Sequence, residues 1–362
     1  MKKKVVVGMS GGVDSSVAAY LLQEQGYEVL GVFMINWEDA SDNPTYRAET
    51  TSGCTWEQDY EDVRKVCDQL GITYTTFNFV EEYRALVFDY FLEELRIGRT
   101  PNPDILCNQE IKFHLFLKKA LAIDGVQAVA TGHYAAVRQD GGLHKLCRPV
   151  DSNKDQTYFL HRVDPTTLDK VLFPLQDLTK DEVRAIAQEQ GFPNADKKDS
   201  TGICFIGDID YGEFVKQYIP ESKGEIVTVD GEVVGDHPGL HLFTRGQRKG
   251  IDIGGTGPYY VVDKDMETNQ LIVTNDSEDK RLYQSGCTVS DMHWLYTIDL
   301  PAEVHVQVRY RQSAVPAIVE MNGNQIQVVF KQPQRAVTPG QSAVLYDGDY
   351  VVGGGIIEQT QS

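Results

Sequence analysis

The chain has 362 residues, with 34 Lys and Arg against 53 Asp and Glu, which gives a formal net charge of −19. Its length favours two or three domains, and we expect three. Hydrophobic residues make up 41% of the chain, and no stretch approaches the roughly 18 apolar residues of a membrane span, which excludes an integral membrane protein.

The N-terminal residues MKKKVVVGMSGG contain an apolar run that is too short for a signal peptide. We therefore expect a soluble, cytoplasmic protein with no membrane association. The 6 cysteines are spread without a CxxC pair, which fits neither a disulfide framework nor a zinc site. Each cysteine must be judged by its own surroundings.

The first half of the sequence alternates short β-rich runs with helical patterns. KVVVGM and EVLGVFM predict strands, and the helix between them ends at Gly26. Thr55 and Gln58 predict the capping box of a second helix, and ITYTTFNF predicts the next strand. A helix from about Glu81 to Ile97 and the proline-containing loop TPNPDILC follow, then a helix from Asn108 and the strand VQAVATGHY.

This alternation predicts an α/β domain with a doubly wound parallel sheet, whose ligands bind outside the carboxyl ends of the strands. We place it at residues 1–205, with a last helix capped by Thr179 and Glu182. From Gly224 onward the sequence consists of short β runs with Gly, Asp and Asn turns. We divide this part into a small linking domain, residues 206–281, and a C-terminal β-barrel, residues 282–362.

The segment GMSGGVDSS joins the first strand to the first helix. Gly11 and Gly12 let the backbone approach an anion closely, and the following helix N-terminus directs N–H groups at it. The segment has neither the Lys of a Walker A loop nor the GxGxxG spacing of dinucleotide folds. A glycine-rich turn with a serine cap is the structural alternative. Asp14 could help hold Mg²⁺ beside phosphate oxygens, or it could simply complement the helix N-terminus.

Two cysteines lie in distinctive segments. Cys107 ends TPNPDILC just before a predicted helix, where a helix N-terminus lowers the pKa of a thiol, and Asp104 nearby could take a proton. Cys204 lies between Ile and Phe in STGICFIG, which by itself favours a small buried hydrophobic residue. His133 in GHY is consistent with either a structural or a functional role.

SGGVDS resembles the signature of the PP-loop ATP pyrophosphatases, which cleave ATP between the α and β phosphates. Together with TPNPDILCN, GHYA, KDQTYFL, STGICFIG and TRGQRKG, in this order over essentially the whole chain, it makes the sequence resemble the bacterial tRNA-specific 2-thiouridylases. The resemblance implies that Cys107 is a catalytic nucleophile and that Cys204 carries a persulfide.

The resemblance also implies two sets of binding residues. ATP would be bound by the residues Gly8, Met9, Ser10, Gly11, Gly12, Val13, Asp14, Ser15, Met34 and Gly132. The tRNA and its target base would be contacted by the residues Asn102, Pro103, Asp104, His133, Lys154, Asp155, Gln156, Arg309, Tyr310 and Gln341.

The reaction implied is adenylation of the wobble-uridine carbonyl oxygen in tRNAs for Lys, Glu and Gln, with ATP and Mg²⁺, followed by sulfur transfer. Sulfur would reach Cys204 from a cysteine desulfurase or a sulfur-relay protein. Either the persulfide attacks the activated carbon, or Cys107 releases hydrosulfide from Cys204, and both routes end in a Cys107–Cys204 disulfide. We expect a monomer.

The net charge argues against a protein that coats itself with nucleic acid, because Lys and Arg supply most non-specific affinity. Binding of tRNA therefore requires local basic groups, and the candidates are Arg245, Arg248, Lys249, Arg309, Arg311, Lys331 and Arg335. Arg309 and Tyr310 fall in VHVQVRYR, a predicted alternating strand with one face in solvent.

Two other classes of function remain open. A PP-loop ligase or amidotransferase acting on a small molecule would not need Cys107, Cys204 or a terminal barrel. A non-catalytic RNA-binding or sulfur-carrier protein would not need SGGVDS. An iron–sulfur cluster held by Cys107 and Cys204, with Asp104 or an outside ligand, is a weaker alternative, because cluster sites usually show locally spaced cysteines.

Overall fold

The computed structural model describes residues 2–38, 55–199, 211–251, 253 and 258–361. Contacts divide the chain into two units. The first comprises Met1–Phe88, Pro103–Ile209 and Asp349–Val351, and the second comprises Asp89–Asn102, Asp210–Gly348 and Val352–Ser362. The segment Asp89–Asn102 thus groups with the C-terminal part of the chain, and the division into three domains stays a prediction.

The first unit is built on a parallel sheet, as predicted. The strands of this unit are β1 (Lys4–Met9), β2 (Glu28–Ile35), β3 (Thr73–Asn78), β4 (Val126–Ala130), β5 (Ala136–Asp140), β6 (Leu143–Cys147) and β7 (Val171–Leu172). The strands β5 and β6 form an antiparallel hairpin. The 5-stranded sheet has the order β3-β2-β1-β4-β7, and each neighbouring pair is parallel. With β1 in the centre, its carboxyl end is flanked by those of β2 and β4.

Helical segments lie between these strands and after them along the chain, and two of the segments, Asp89–Arg96 and Tyr211–Lys216, belong to the second unit. The helical segments are α1 (Val13–Glu24), α2 (Thr55–Leu70), α3 (Val80–Tyr83), a π-helical turn (Arg84–Phe88), α4 (Asp89–Arg96), α5 (Pro103–Leu106), a π-helical stretch (Cys107–Phe116), α6 (Leu117–Leu121), α7 (Lys180–Glu189) and α8 (Tyr211–Lys216). The helix predicted from Asn108 is therefore wrong in its start, because Pro103 opens the helical segment and fits the first turn, where no N–H is needed. The capping box of Thr179 and Glu182 is confirmed.

The core of the first unit lies between the central strands and the helices α1, α2 and α7. The strand β1 is buried from Val5 to Met9, and one face of α1 is buried with it. The members of this core include Val5, Val7, Val17, Leu22, Val63, Val66 and Val183. Cys67 belongs to the same core, and burial raises the pKa of its thiol to about 12. Cys67 is therefore a small buried hydrophobic residue of the helix α2.

The second unit contains two β structures. A 4-stranded sheet, in the order β10-β11-β8-β9, is formed by β8 (Gly224–Thr228), β9 (Val233–His237), β10 (Tyr260–Asp265) and β11 (Gln270–Thr274). The predicted barrel is confirmed and comprises β12 (Tyr283–Trp294), β13 (Ala302–Gln307), β14 (Val315–Asn322), β15 (Gln325–Arg335), β16 (Ser342–Asp347) and β17 (Tyr350–Gln361). Its order is β12-β15-β14-β13-β16-β17, and β17 pairs back with β12 to close it.

The barrel interior is filled by alternate residues of its strands, including Val289, Val306, Val319, Val328 and Leu345. Closure leaves no unpaired edge in these strands. Among the described residues, no helix combines the length and the apolar character needed to cross a membrane.

Candidate active site

The loop from Gly8 to Ser16 joins β1 to α1, and its two central glycines have different surroundings. Gly11 has a φ of +78°, and a Cβ built on it would lie 2.5 Å from the Asp59 carbonyl oxygen. Gly12 is extended, with φ −86° and ψ 164°, and a Cβ there would meet only Ser10 Oγ, at 3.4 Å. Gly11 is therefore required by the loop itself, whereas Gly12 faces open space that a ligand could fill.

Serine hydroxyls fix the shape of this loop. Ser15 Oγ donates to the Gly12 carbonyl at 3.1 Å and Ser16 Oγ donates to it at 3.0 Å. The Ser10 N–H donates to Ser15 Oγ at 3.2 Å. Gly12 forms the N-cap of α1 and supplies no side chain to its first N–H groups. The arrangement suits an anion at the helix N-terminus.

Two residues from neighbouring strand ends border the loop. A Cβ on Gly8 would lie 3.5 Å from Met34 Cε and 3.5 Å from the Phe116 ring. A Cβ on Gly132, just after β4, would lie 2.7 Å from the Ser15 nitrogen. The carboxyl ends of β1, β2 and β4 thus bring Gly8, Met34 and Gly132 together, as expected of a ligand site in a parallel sheet.

Asp14, in the first turn of α1, already has close partners. Lys180 Nζ lies 2.7 Å from Asp14 Oδ1 and 2.9 Å from Oδ2, and the Tyr134 hydroxyl donates to Oδ1 at 3.0 Å. This geometry does not fit Asp14 as a Mg²⁺ ligand, because a cation already occupies both carboxylate oxygens. No group of three His, Cys, Asp or Glu suited to a metal ion occurs among the described residues.

Asp199 gathers three basic side chains near the loop. Its carboxylate lies 2.6 Å from Lys154 Nζ, 2.7 Å from Lys180 Nζ and 3.1 Å from Arg184 Nη2. Burial by itself would raise the pKa of Asp199, but hydrogen bonds and charges from Lys154 and Lys180 outweigh it and lower the pKa to about 2. Lys180 connects Asp199 to Asp14, a link that no local sequence pattern indicates.

Asn194 and Lys197 also contact the loop and were missed by the sequence analysis. Asn194 Nδ2 donates to the Gly11 carbonyl at 2.9 Å, and Lys197 Nζ lies 3.3 Å from the same oxygen. Both residues are separated from the loop by more than half of the chain, so only the fold brings them there. Nothing in their immediate sequence neighbourhood could have indicated this contact.

Cys107 is fully buried, at 0% exposure, and opens the π-helical stretch Cys107–Phe116. The expectation that it stands at a helix N-terminus is wrong, since α5 precedes it and is continuous with this stretch. Asp104, three residues earlier, lies on the same face of the helical segment. Cys204 and the rest of STGICFIG lie outside the described residues, so its pairing with Cys107 is untested.

Asn102 is the last residue of a segment that belongs to the second unit. Gln341, predicted to contact tRNA, is 8% exposed and donates through Nε2 to the Thr100 carbonyl at 2.7 Å. The Thr100 N–H donates to the Pro339 carbonyl at 3.0 Å. Gln341 therefore fixes the backbone that leads into Asn102 and Pro103.

His133 lies among aromatic rings at the end of β4. Its ring centroid is 5.7 Å from that of Phe113 and 6.4 Å from that of Phe173, and its Nδ1 is 2.8 Å from Thr131 Oγ1. Burial, with a smaller contribution from the Lys112 charge, lowers the pKa of His133 well below its ordinary value. The imidazole is neutral at neutral pH and suits stacking or hydrogen bonding rather than ion pairing.

The side chains of Lys154, Asp155 and Gln156 also stabilise their own surroundings. Asp155 pairs with Arg148 and accepts from the Thr157 N–H at 2.9 Å. Gln156 Oε1 accepts from the Tyr134 N–H at 2.9 Å, which connects this segment to GHY. Lys154, by contrast, is paired with exposed Asp199.

Arg309 and Tyr310 lie in a turn, so their predicted place in a strand is wrong. The strand β13 ends at Gln307, the Gln312 N–H donates to the Arg309 carbonyl at 3.1 Å, and Arg311 has a φ of +68°. Both residues are partly exposed.

The other basic candidates differ in how far they are engaged. Arg245 donates through Nε to the Val262 carbonyl at 2.7 Å and has its Nη2 3.4 Å from Asp263. Lys331 pairs with Glu303, whereas Arg248 and Lys249 are exposed.

Three family models match the chain in order. The model of a tRNA methyl transferase HUP domain matches residues 3–208, that of a tRNA methyl transferase PRC-barrel domain matches residues 212–275, and that of an aminomethyltransferase β-barrel domain matches residues 284–357. The first model alone covers more than half of the chain.

Relatives that match over nearly their whole length are described as tRNA-specific 2-thiouridylases. A tRNA-specific 2-thiouridylase of Geobacillus kaustophilus is 50% identical over 99% of this chain and 96% of its own length. Those of Enterococcus faecalis and Idiomarina loihiensis are 48% and 50% identical, each over 99% of this chain and 96% of the relative. Among solved structures, a 4-thiouridine synthetase bound to RNA and ATP is 17% identical over 60% of this chain and 50% of that chain, with a TM-score of 0.35.

Proposed function

The chain belongs to the tRNA-specific 2-thiouridylase family, and we propose that it replaces the 2-oxygen of the tRNA wobble uridine with sulfur, with the consumption of ATP. Identity of 50% over nearly the full length of a 2-thiouridylase carries the proposal. The geometry of the Gly8–Ser16 loop supports the use of a nucleotide. We further propose tRNAs for Lys, Glu and Gln as substrates.

ATP activates the uridine, because a carbonyl oxygen is a poor leaving group until it is adenylated. We place the phosphates at the Gly11–Ser15 turn, where the N-terminus of α1 and the open space beside Gly12 favour an anion. Met34 and Gly132 border this position. Mg²⁺, when bound, would neutralise the phosphates and be held chiefly by them, since Asp14 is paired with Lys180.

Sulfur transfer uses Cys204 as the persulfide carrier and Cys107 as the nucleophile. In one route the terminal persulfide sulfur attacks the activated carbon, AMP leaves, and the Cys107 thiolate then attacks the Cys204 sulfur to release the thiolated base. In the other route Cys107 attacks first and hydrosulfide becomes the nucleophile. Both routes leave a Cys107–Cys204 disulfide, because the two cysteines give up the two electrons that reduce the transferred sulfur, and a reductant must return two electrons to the disulfide after each turnover. We propose that Asp104, three residues before Cys107, accepts the Cys107 proton.

The tRNA would be contacted by both units of the chain. We propose His133 for stacking or hydrogen bonding, Lys154 for a phosphate, and Arg309 and Tyr310 in the turn after β13 for the tRNA body. Asp155, Gln156 and Gln341 would act mainly by holding neighbouring backbone. We further propose a cytoplasmic monomer that receives sulfur from a cysteine desulfurase or relay protein, with a catalytic, a linking and a barrel domain.

Pyrophosphate release tests this function against its alternatives. The full chain should release pyrophosphate from ATP only when tRNA is present, and thiouridine should form only when a sulfur donor is added. A small-molecule ligase would release pyrophosphate without tRNA, and an RNA-binding or sulfur-carrier protein would release none. Cys204→Ser should adenylate tRNA without forming a persulfide, whereas Cys107→Ser should load sulfur and fail to transfer it. Wild-type thiolation by either variant would exclude the two-cysteine mechanism.

A further inference from the structure

Two side chains distant in sequence hold one carbonyl of the Gly8–Ser16 loop. Asn194 is 3% exposed, and its Nδ2 donates both to the Gly11 carbonyl, at 2.9 Å, and to Ser16 Oγ, at 3.0 Å. Lys197 Nζ approaches the same carbonyl at 3.3 Å. One amide and one ammonium group therefore converge on a single backbone oxygen next to α1.

Lys197 is also held from the side of α2. Its Nζ lies 2.7 Å from Asp59 Oδ1 and 2.7 Å from Asp62 Oδ2. Burial by itself would lower the pKa of Lys197, but the hydrogen bonds to the two aspartates outweigh it and raise the pKa. The ammonium group is thus charged at neutral pH and fixed between α2 and the loop.

The position of this carbonyl determines the direction of the next N–H group. The Gly11 carbonyl and the Gly12 N–H belong to one planar trans peptide, so they point in opposite directions. The Gly12 N–H has a long hydrogen bond to the exposed Ser10 hydroxyl, at 3.4 Å, which an anion could replace. A charged donor on the carbonyl also polarises the peptide and makes its N–H a stronger donor.

We propose that Asn194 and Lys197 are positioning residues of the nucleotide site, which orient the peptide between Gly11 and Gly12 so that its N–H group meets a phosphate of ATP. This inference rests on the proposed binding of ATP. Neither residue touches the nucleotide in this arrangement, because both contact the opposite side of the peptide. The affinity for phosphate-bearing ligands should therefore depend on the two residues, whereas the affinity for the nucleoside alone should not.

Binding of three probes to the full chain tests the proposal: ATP with excess Mg²⁺, pyrophosphate, and adenosine. Lys197→Met and Asn194→Leu should each lower the affinity for ATP and pyrophosphate by about tenfold. Affinity for adenosine should stay within about twofold of the wild-type value. Lys197→Arg keeps the charge and the donors and should recover most of the ATP affinity. Lys216→Met is the matched control, since Lys216 also pairs with two carboxylates, Glu213 and Glu221, and should change nothing.

The outcomes separate the possible failures. If Asn194→Leu binds ATP as the wild type does, the effect of Lys197 is a general charge effect and the proposal is overturned. If adenosine affinity falls as much as ATP affinity, the variants disturb the whole site, which also overturns it. If the wild-type chain itself does not bind ATP, the proposed function fails instead. Where Lys197→Met does not fold, the pair Asn194→Leu and Lys197→Arg still decides.

Discussion

Gly11 and Gly12 are adjacent, but a side chain would meet different surroundings at each. Gly12→Val should fold normally, because Gly12 is extended and its Cβ would meet only Ser10 Oγ at 3.4 Å. Its branched side chain should nevertheless fill the space proposed for phosphate and abolish ATP binding. Calorimetric titration with ATP, alongside thermal unfolding, measures both effects. Undiminished ATP affinity in Gly12→Val would remove the phosphates from this loop.

Gly11→Ala provides the contrasting variant. Its Cβ would lie 2.5 Å from the Asp59 carbonyl oxygen, and its φ of +78° is unfavourable for any residue with a side chain. We expect it to lower the free energy of unfolding by about 1–3 kcal/mol, which Gly12→Val should not do. Equal stability losses in the two variants would contradict the distinction drawn between the glycines.

Cys107 carries a buried thiol, and we propose that this thiol acts as a nucleophile. Its exposure is 0%, so iodoacetamide should modify it slowly in the absence of substrates, and addition of ATP and tRNA should raise the rate. Cys287 is the matched control, because it is also at 0% exposure in the barrel core and burial raises the pKa of its thiol to about 12. Peptide mapping by mass spectrometry measures both sites. A substrate effect that is equal at Cys287 would indicate general loosening rather than exposure of the nucleophile.

At the scale of single residues, the sequence predicted which segments form the site better than it predicted what each side chain does. The Gly8–Ser16 loop, Met34 and Gly132 come together because local glycine patterns and strand ends determine their places. Gln341 and Gln156, by contrast, are engaged with backbone groups. Such contacts depend on which distant carbonyl or N–H group the fold brings near, and no spacing in the sequence encodes that.

Among the elements, α7 combines a predictable cap with an unpredictable contact. Thr179 Oγ1 accepts from the Glu182 N–H at 3.3 Å, and the first residue of the helix, Lys180, pairs with Asp14. Thr179→Ala should lower the free energy of unfolding by about 1 kcal/mol, as measured by urea denaturation. Because the loss frees the turn that carries Lys180, ATP affinity should fall too. Unchanged affinity at lowered stability would show that Asp14 is held without the cap.

The ion pairs of Asp199 give the segment after α7 a defined pH dependence. Its pKa is lowered to about 2 in the folded chain, so the stabilisation is complete above the ordinary pKa of an aspartate and is lost as the pH falls through the folded value. Asp199→Asn should therefore be less stable than the wild type at neutral pH, and the difference should shrink below about pH 4. Urea denaturation at several pH values measures it. A difference independent of pH would exclude the ion pairs as its source.

The Cys107 segment shows where element prediction reached its limit. Its prolines indicated a loop, and the helix was expected only from Asn108, whereas the structure begins it at Pro103 and continues as a π-helix from Cys107. Proline is compatible with the first turn of a helix as well as with a loop. The choice between them depends on burial of Ile105 and Cys107 against the rest of the first unit, which sequence periodicity over so short a segment does not reveal.

For the whole molecule, alternation of strands and helices followed by β runs was enough to predict the parallel sheet and the closed barrel. It was not enough to place Asp89–Asn102 with the second unit. That placement depends on contacts such as the ion pair of Arg99 with Glu358, in which Nη1 lies 3.1 Å from the carboxylate. Thr100 and Gln341 add a hydrogen bond across a similar distance in sequence. Local patterns carry no information on pairs so far apart along the chain.

Binding of tRNA by a chain of net charge −19 must rest on a few basic groups, so the affinity should fall steeply with salt and each group should carry a measurable share. Arg309→Ala removes a partly exposed arginine from the turn after β13. It should weaken tRNA binding and reduce the slope of log affinity against log salt by about 1 if Arg309 meets one phosphate. Arg281→Ala is the control, because Arg281 is an exposed arginine paired with Asp279 and has no proposed contact. Filter binding at several salt concentrations gives both slopes. If Arg309→Ala keeps the wild-type slope, or if Arg281→Ala reduces the slope by as much, the turn after β13 does not contact the tRNA backbone. The basic groups that do contact it must then be sought elsewhere, beginning with the exposed residues Arg248 and Lys249.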